Sequence, residues 1–394
     1  MIRVIHSGDF HLGGSFPEKA AVSAQFLIEQ IHDEKSAAYD PDAILFGGDL
    51  TDRAIHVHSD RLIPFYNLVK AVTCPIVLLQ GTISHEPLGT INNIAELSNR
   101  ISIIDSPMSF LTIPAGGCIM GLPGLSKPQL AKWMKDIGSE IDGFADPTAA
   151  IKEALAYIAT RWSREPGPKI LLGHWSVSGC VTPTGQTMIG SDLEVGLDDL
   201  ALTGASAVML NHIHKPQEWR DPIFASYSGP PYPTSWGELH QCSFSVFEFD
   251  DETGKMTSFE RIPFPHLPML KLDIEFTGKQ TDGEWDWEYK TPLDESMYHL
   301  GDTPHELKIC YSLPKEIAHQ VDDMHIRVMF KKMNIEIASI DRIIQATSRE
   351  RIADLASMET TRSQYEAICE AKGETPREGA LVKADAIDEK VVAL

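Results

Sequence analysis

Ile2-Arg3-Val4-Ile5-His6-Ser7-Gly8-Asp9-Phe10-His11 sets a short apolar run directly before a carboxylate and an imidazole one residue apart. Ile2–His6 reads as a buried strand, being short, apolar and followed closely by Gly and Asp. An Asp-x-His leaving a strand end projects both groups toward one metal ion. In isolation the same triplet is a surface turn with a chance histidine, so recurrence of the pattern decides its meaning.

The pattern recurs along the first two-thirds of the chain. Ala43–Phe46 runs into Gly47-Gly48-Asp49, and Ile76–Leu79 is followed by Gly81-Thr82-Ile83-Ser84-His85-Glu86. Ile170–Leu172 precedes Gly173-His174-Trp175, and Ala207–Leu210 precedes Asn211-His212-Ile213-His214-Lys215-Pro216-Gln217. Helical spacing over Lys19–His32 and Arg61–Val72 alternates with these strands. Further strands at Ile101–Ile104, Cys118–Met120, Phe224–Tyr227 and Ser243–Phe249 extend a layered α/β domain. Open α/β sheets place their sites at the carboxyl ends of strands, where these polar groups fall. Glycines before Asp49 allow tight backbone approach, and its carboxylate is able to bridge two cations. His212 and His214 share a face if extended and reach one cluster, although such a pair also reads as hydrogen-bonded core histidines. Five strand ends presenting Asp or His in order separate a site from coincidence.

This order resembles the calcineurin-like metallophosphoesterases, and its details resemble their SbcD-type DNA-repair exonuclease branch along nearly the whole chain. His212-Ile213-His214-Lys215-Pro216-Gln217 is similar to that branch's terminal histidine motif. Tyr227-Ser228-Gly229-Pro230-Pro231 with Glu238 is similar to the segment that follows it, though it also reads as a Gly/Pro loop closing a strand. The resemblance implies a metallophosphoesterase β-sandwich flanked by helices, with a smaller α+β capping domain. It implies one ion held by Asp9, His11, Asp49 and His214, and a second by Asp49, His174 and His212. Mixed imidazole and carboxylate ligation suits Mn²⁺ better than all-oxygen Mg²⁺ sites. Two such ions activate water for in-line attack on phosphorus and neutralise charge in the transition state. His85 is implied as the catalytic residue beside the pair, stabilising charge or protonating the leaving oxygen. One departure stands out: Ser84 occupies the place of an Asn ligand, in a loop two residues longer than the family's. Ser84 then reaches the second ion, or a water or a backbone carbonyl replaces it. Asn211, where the family commonly has Gly, is a milder departure.

The implied function is a manganese-dependent DNA exonuclease and endonuclease of repair or recombination, working on DNA with an SbcC-like ATPase and as a homodimer. Two other readings compete: a phosphatase or cyclic-nucleotide phosphodiesterase on a small substrate, and a metal-binding scaffold whose catalysis has lapsed. A net charge of −22 stands against nucleic acid, because phosphate contacts normally supply much of the binding energy. Bound cations and a local basic patch count for more than the total. Between Met324 and Arg351 such a patch exists, and Arg327, Lys331 and Lys332 are its candidate DNA contacts; an ordinary solvated face reads the same way.

A chain of 394 residues exceeds one core and allows an appended domain. Pro263-Phe264-Pro265-His266-Leu267-Pro268 breaks both periodicities, so the expected division is 1–265 nuclease, 266–348 capping and DNA-binding, and 349–394 a C-terminal helix and acidic tail. In the middle part, Met269–Phe276, His305–Tyr311 and His325–Phe330 read as strands and Lys315–Val321 as a helix. Arg349–Lys372 has helical composition and fits either a docking element for the ATPase or a helix folded back on its own chain. The following tail reads as partly disordered. Trp285 and Trp287, in an acidic run, are expected to pack. Six scattered cysteines without C-x-x-C spacing argue for reduced buried thiols. No leader pattern and no apolar run near 20 residues is present, which points to a cytoplasmic, non-membrane protein.

Overall fold

The apolar strands owe their composition to burial on both faces. The structure, a computed structural model, describes residues 1–87, 89–107, 109–124, 126–183, 194–290, 305–332, 335–345, 358, 360–371 and 375–392. One six-stranded sheet runs across Met256–Pro263, Ser243–Phe249, Ile2–Ser7, Ala43–Phe46, Ile76–Leu79 and Ile101–Ile104. Its last four strands are parallel, and the Ser243–Phe249 hairpin adds to Ile2–Ser7 antiparallel. The second sheet runs across Gln217–Trp219, Ala225–Tyr227, Ala207–Asn211, Lys169–His174, Cys118–Leu122 and Phe110–Thr112. It is parallel at its centre and antiparallel at both edges.

Alternate side chains along each strand enter different cores. Val4, Leu45, Val77, Leu79, Ile170, Leu172 and Met209 meet between the sheets. Ile5, Ile44, Phe46, Ile76 and Leu78 instead pack with residues of helices Pro17–His32 and Ile63–Ala71. Leu171, Val208 and Leu210 do so with helices Lys127–Asp136 and Pro147–Trp162. The result is a helix–sheet–sheet–helix stack in which the inner strands Ala43–Phe46 and Ile76–Leu79 are apolar throughout. Each such Leu, Ile or Phe contributes about 1.5–3 kcal/mol by leaving water. The sequence reading did not name the two helices on the second sheet. Their signals are local: Ser126 and Gln129 form a capping box, and the Asp146 carboxylate accepts the Ala149 N–H at 2.9 Å.

The chain forms two compact units, Met1–Lys271 with Asp294–Lys308, and Leu272–Leu293 with Ile309–Leu394. In the smaller unit the sheet order is Glu284–Tyr289, Met269–Thr281, Glu306–Leu313, Ser339–Ile344. His325–Phe330, expected as a strand, lies within helix Asp323–Lys332. Ile326, Val328 and Phe330 alternate as in a strand, yet only Ile326 and Phe330, one helical turn apart, are buried, and Val328 is 49% exposed. Lys315–Val321 holds only a 3₁₀ turn at Lys315–Ile317. Trp287 packs at 6.1 Å from the Phe330 ring. The acidic tail, expected as partly disordered, carries helix Glu378–Val392, which pairs with Thr361–Ala371 through Arg362–Asp385 at 2.7 Å. Residues 349–357 of the expected C-terminal helix lie outside the described residues. All six cysteines are buried, with no disulfide between them. Among the described residues, no helix is long and apolar enough to cross a membrane.

Candidate metal centre

Beyond their last paired residues, the Ile2–Ser7 and Ala43–Phe46 strands continue side by side as two zipped loops. Asp9 N–H donates to Gly48 O at 2.9 Å, His11 N–H to Asp49 O at 3.0 Å, and Leu12 N–H to Leu50 O at 2.9 Å. The zip forces unusual backbone. Six described non-glycine residues have positive φ, and four of them are Asp9, His11, Asp49 and His212. Such strain persists only where the surroundings over-determine it, and it concentrates at functional sites. Glycine is required twice. A Cβ on Gly48, at φ +103°, would sit 2.4 Å from His174 Nδ1, and one on Gly81 would sit 2.2 Å from Asp49 Oδ1.

The side chains converge on a cavity of about 320 Å³ lined in part by His11, Asp49, Asp52, Thr82, His85, His212 and His214. Two clusters have metal-ligand spacing at its base, Asp9/His11/His214 and Asp9/Asp49/His174. Asp9 is common to both, whereas the family resemblance assigned the shared position to Asp49. A third cluster, His11/Asp52/His85, lies beside them. His212 belongs to none of the three but lines the cavity, its ring 5.1 Å from that of His174. Its backbone N–H donates to Asp9 Oδ1 at 3.2 Å.

Three of the imidazoles are oriented by an outer nitrogen. His174 Nδ1 meets Gly47 O at 2.8 Å, and its Nε2 lies 3.3 Å from Asp49 Oδ2. His214 Nδ1 meets Glu238 Oε1 at 3.2 Å and Thr234 Oγ1 at 3.0 Å, while its Nε2 faces His11 Nε2 at 3.2 Å. His85 Nδ1 meets the Asp52 carbonyl at 3.1 Å. Fixing one ring nitrogen in this way leaves the other free as a ligand or proton carrier.

Burial, and next the adjacent His214, lower the His11 pKa to about 4, so its inward nitrogen keeps a lone pair at neutral pH. Burial also opposes charge on His174, but Asp49 outweighs it and raises the pKa to about 9. Asp49 is held well below the usual carboxylate range: burial acts against this, and His174 overcomes it. Asp9 is fully buried and Asp49 is 3% exposed, yet among the described residues no Lys or Arg lines the cavity to balance them. Buried carboxylates facing inward imidazoles, without a basic side chain, fit divalent cations.

Several residues complete the site in roles that the sequence did not indicate. Glu86 is fully buried and accepts N–H bonds from Leu50 at 2.5 Å and Gly81 at 2.6 Å, tying two ligand loops together. Burial, and then Asp49, push its pKa up to about 7. Asn211 Nδ2 donates to Asp9 Oδ2 at 2.9 Å and to Ser228 Oγ at 3.0 Å. Asp52 has a sequence signal, standing three residues past Asp49 in Asp49-Leu50-Thr51-Asp52. Ser84 is exposed and does not line the cavity, whereas Thr82 does. In the smaller unit, Arg327 donates to Ile337 O at 2.7 Å and Lys332 pairs with Glu284 at 2.8 Å; Arg327 and Lys331 line a separate cavity of about 480 Å³. Arg349 and Arg351 lie outside the described residues.

No family model matches the chain. It is 22% identical over 287 residues to the SbcD component of the SbcCD nuclease of Staphylococcus epidermidis, covering 69% of this chain and 72% of that protein. Among solved structures, a Staphylococcus aureus protein described as a 5'-nucleotidase, in complex with α-ketoglutarate, shares 14% identity at a TM-score of 0.43 over 76% of this chain. The match spans 57% of that chain's length. By its layered fold, its ordered Asp and His strand ends and its similarity to an SbcD nuclease component, the chain resembles the calcineurin-like metallophosphoesterases.

Proposed function

We propose that the protein is a two-metal DNA nuclease, the exonuclease and endonuclease subunit of an SbcC/SbcD-type repair or recombination complex. The observation that carries this reading is the grouping of Asp9, His11, Asp49, His174 and His214 at metal-ligand spacing beside a cavity that His11, Asp49, His212, His214 and His85 line. Asp9, His11, Asp49, His174, His212 and His214 would hold two divalent ions, Mn²⁺ by donor type. Bound there, the ions supply charge neutralisation and an activated water for attack on phosphorus. Asp49, kept anionic, and Asp9 would hold the ions; His174 and His214 present their inner nitrogens because Gly47, Glu238 and Thr234 occupy their outer ones. His85, anchored through Nδ1, places Nε2 to stabilise or protonate the leaving sugar oxygen.

The proposal extends to organisation. Residues 1–265 carry catalysis, 266–348 contact DNA through Arg327, Lys331 and Lys332, and 349–394 dock an SbcC-like ATPase. The homodimer uses the helices near 61–72 and 88–97, where Ile63 and Leu97 are 46% and 47% exposed and residue 88 lies outside the described residues. The SbcD relative, by name a subunit of the SbcCD nuclease, supports assembly with a partner subunit. The net charge of −22 favours a second reading, hydrolysis of a small phosphoester. Labelled linear DNA and mononucleotides incubated with the full chain in Mn²⁺ separate the two. DNA cleavage that Asp49→Ala abolishes supports the nuclease; turnover of mononucleotides with DNA left intact supports the second reading, and no turnover of either marks a lapsed site.

A further inference from the structure

Building on the metal-centre reading, we propose that Thr82 supplies the neutral oxygen ligand of the ion that Asp49 and His174 would hold, the position that the family resemblance assigns to Ser84. Thr82 Oγ1 lies 3.2 Å from His174 Nε2 and 3.4 Å from Asp49 Oδ2, and those two atoms are 3.3 Å apart. The three donors thus form a nearly equilateral triangle. Donors about 2.1 Å from one ion lie about 3.0 Å apart at right angles and about 3.4 Å apart at tetrahedral angles. The observed edges fall in that interval, so the triangle has the dimensions of one face of a coordination shell.

The loop explains why residue 82, and not residue 84, comes to this place. Gly81 lies against Asp49 so closely that a Cβ would overlap it, which delivers the next residue directly to the carboxylate. Thr82 N–H then donates to Asp49 Oδ1 at 2.6 Å. Its carbonyl accepts from His85 N–H at 2.9 Å and Glu86 N–H at 2.8 Å. With both backbone groups committed, the Thr82 side chain is the group that turns into the cavity. Ile83 and Ser84, the two additional residues of the turn, are exposed. The insertion therefore moves the neutral ligand to the residue after the glycine and pushes the residue before His85 outward. A short hydroxyl side chain reaches this place because the Gly81 backbone lies directly against Asp49.

Titration of the full chain with Mn²⁺ alone, followed by calorimetry, tests the assignment with Thr82→Val, Thr82→Ser and Ser84→Ala. Valine keeps the branched shape and removes the oxygen. The expected result is two ions in the wild type, one of them weakened on the order of tenfold or more in Thr82→Val, with Thr82→Ser and Ser84→Ala close to wild type. Unchanged binding in Thr82→Val, or weakened binding in Ser84→Ala, overturns the proposal while leaving the metal centre intact. A wild type that binds no Mn²⁺ overturns the metal-centre reading and this inference together. Should Thr82→Val fail to fold, a crystal structure of the wild type with Mn²⁺ decides. Thr82 Oγ1 in contact with the ion supports the assignment; Ser84, a backbone carbonyl or a water in that position refutes it.

Discussion

At the residue scale, the site separates groups that would hold an ion from groups that act beside one. Asp49→Ala removes a ligand from a carboxylate–imidazole pair 3.3 Å apart, and His212→Ala removes a cavity-facing imidazole; both are expected to abolish hydrolysis together with full ion binding. His85→Ala is expected to keep its ions while losing activity by roughly 10²–10⁴-fold, the usual range for a lost general acid. Elemental analysis alongside a turnover assay checks all three, and loss of ions in His85→Ala would make that residue a ligand. Asn211→Ala takes away the 2.9 Å bond that fixes Asp9, so ion affinity should fall by about 10–100-fold with the ligands themselves intact. Unaltered affinity would show that the Asp9 carboxylate needs no such support. The Asp and His strand ends were legible because each follows an apolar run directly. Asn211, Glu86 and Thr82 were not, since what they do depends on groups 33 to 202 positions away, among them Asp49 and Asp9.

At the scale of elements, most strands of the sandwich could be read to within a residue or two, because a short run covered on both faces must be apolar throughout. Ala43–Phe46, Ile76–Leu79 and Ile101–Ile104 coincide with their sequence ranges. The misreading of His325–Phe330 shows the limit of periodicity: three apolar residues at i, i+2 and i+4 satisfy a strand, and tertiary cover selects i and i+4 of a helix. Loops past the strand ends carry the larger conformational demand. Gly48→Ala would place a methyl 2.4 Å from the His174 ring in a backbone conformation that alanine resists, and it should cost about 1–3 kcal/mol from the backbone alone. A drop in the unfolding midpoint of several degrees, measured by calorimetry on the apo chain, is the expected result. A midpoint equal to wild type would mean that the loop is free to rearrange.

At the scale of the molecule, one compact unit carries the candidate metal centre and the other carries the C-terminal helices, so truncation tests the proposed docking role apart from catalysis. Thr361–Ala371 and Glu378–Val392 cover each other in part, burying Cys369 and Ala384, while Val382 and Ile387 remain 63% and 50% exposed. Cutting the chain after Arg351 is expected to preserve cleavage of a small generic phosphodiester and to remove ATP-stimulated processing of DNA ends by the reconstituted pair. Full stimulation in the truncated protein would refute the docking role and leave the catalytic account standing. The central claim is that Asp9, His11, Asp49, His174, His212 and His214 together form a two-ion centre. It is tested most directly by counting ions in the full chain after equilibration with Mn²⁺. Two per chain, falling to one or none in Asp49→Ala, is the expected count; a wild-type chain that retains no ion, or an Asp49→Ala chain that still retains two, would contradict it.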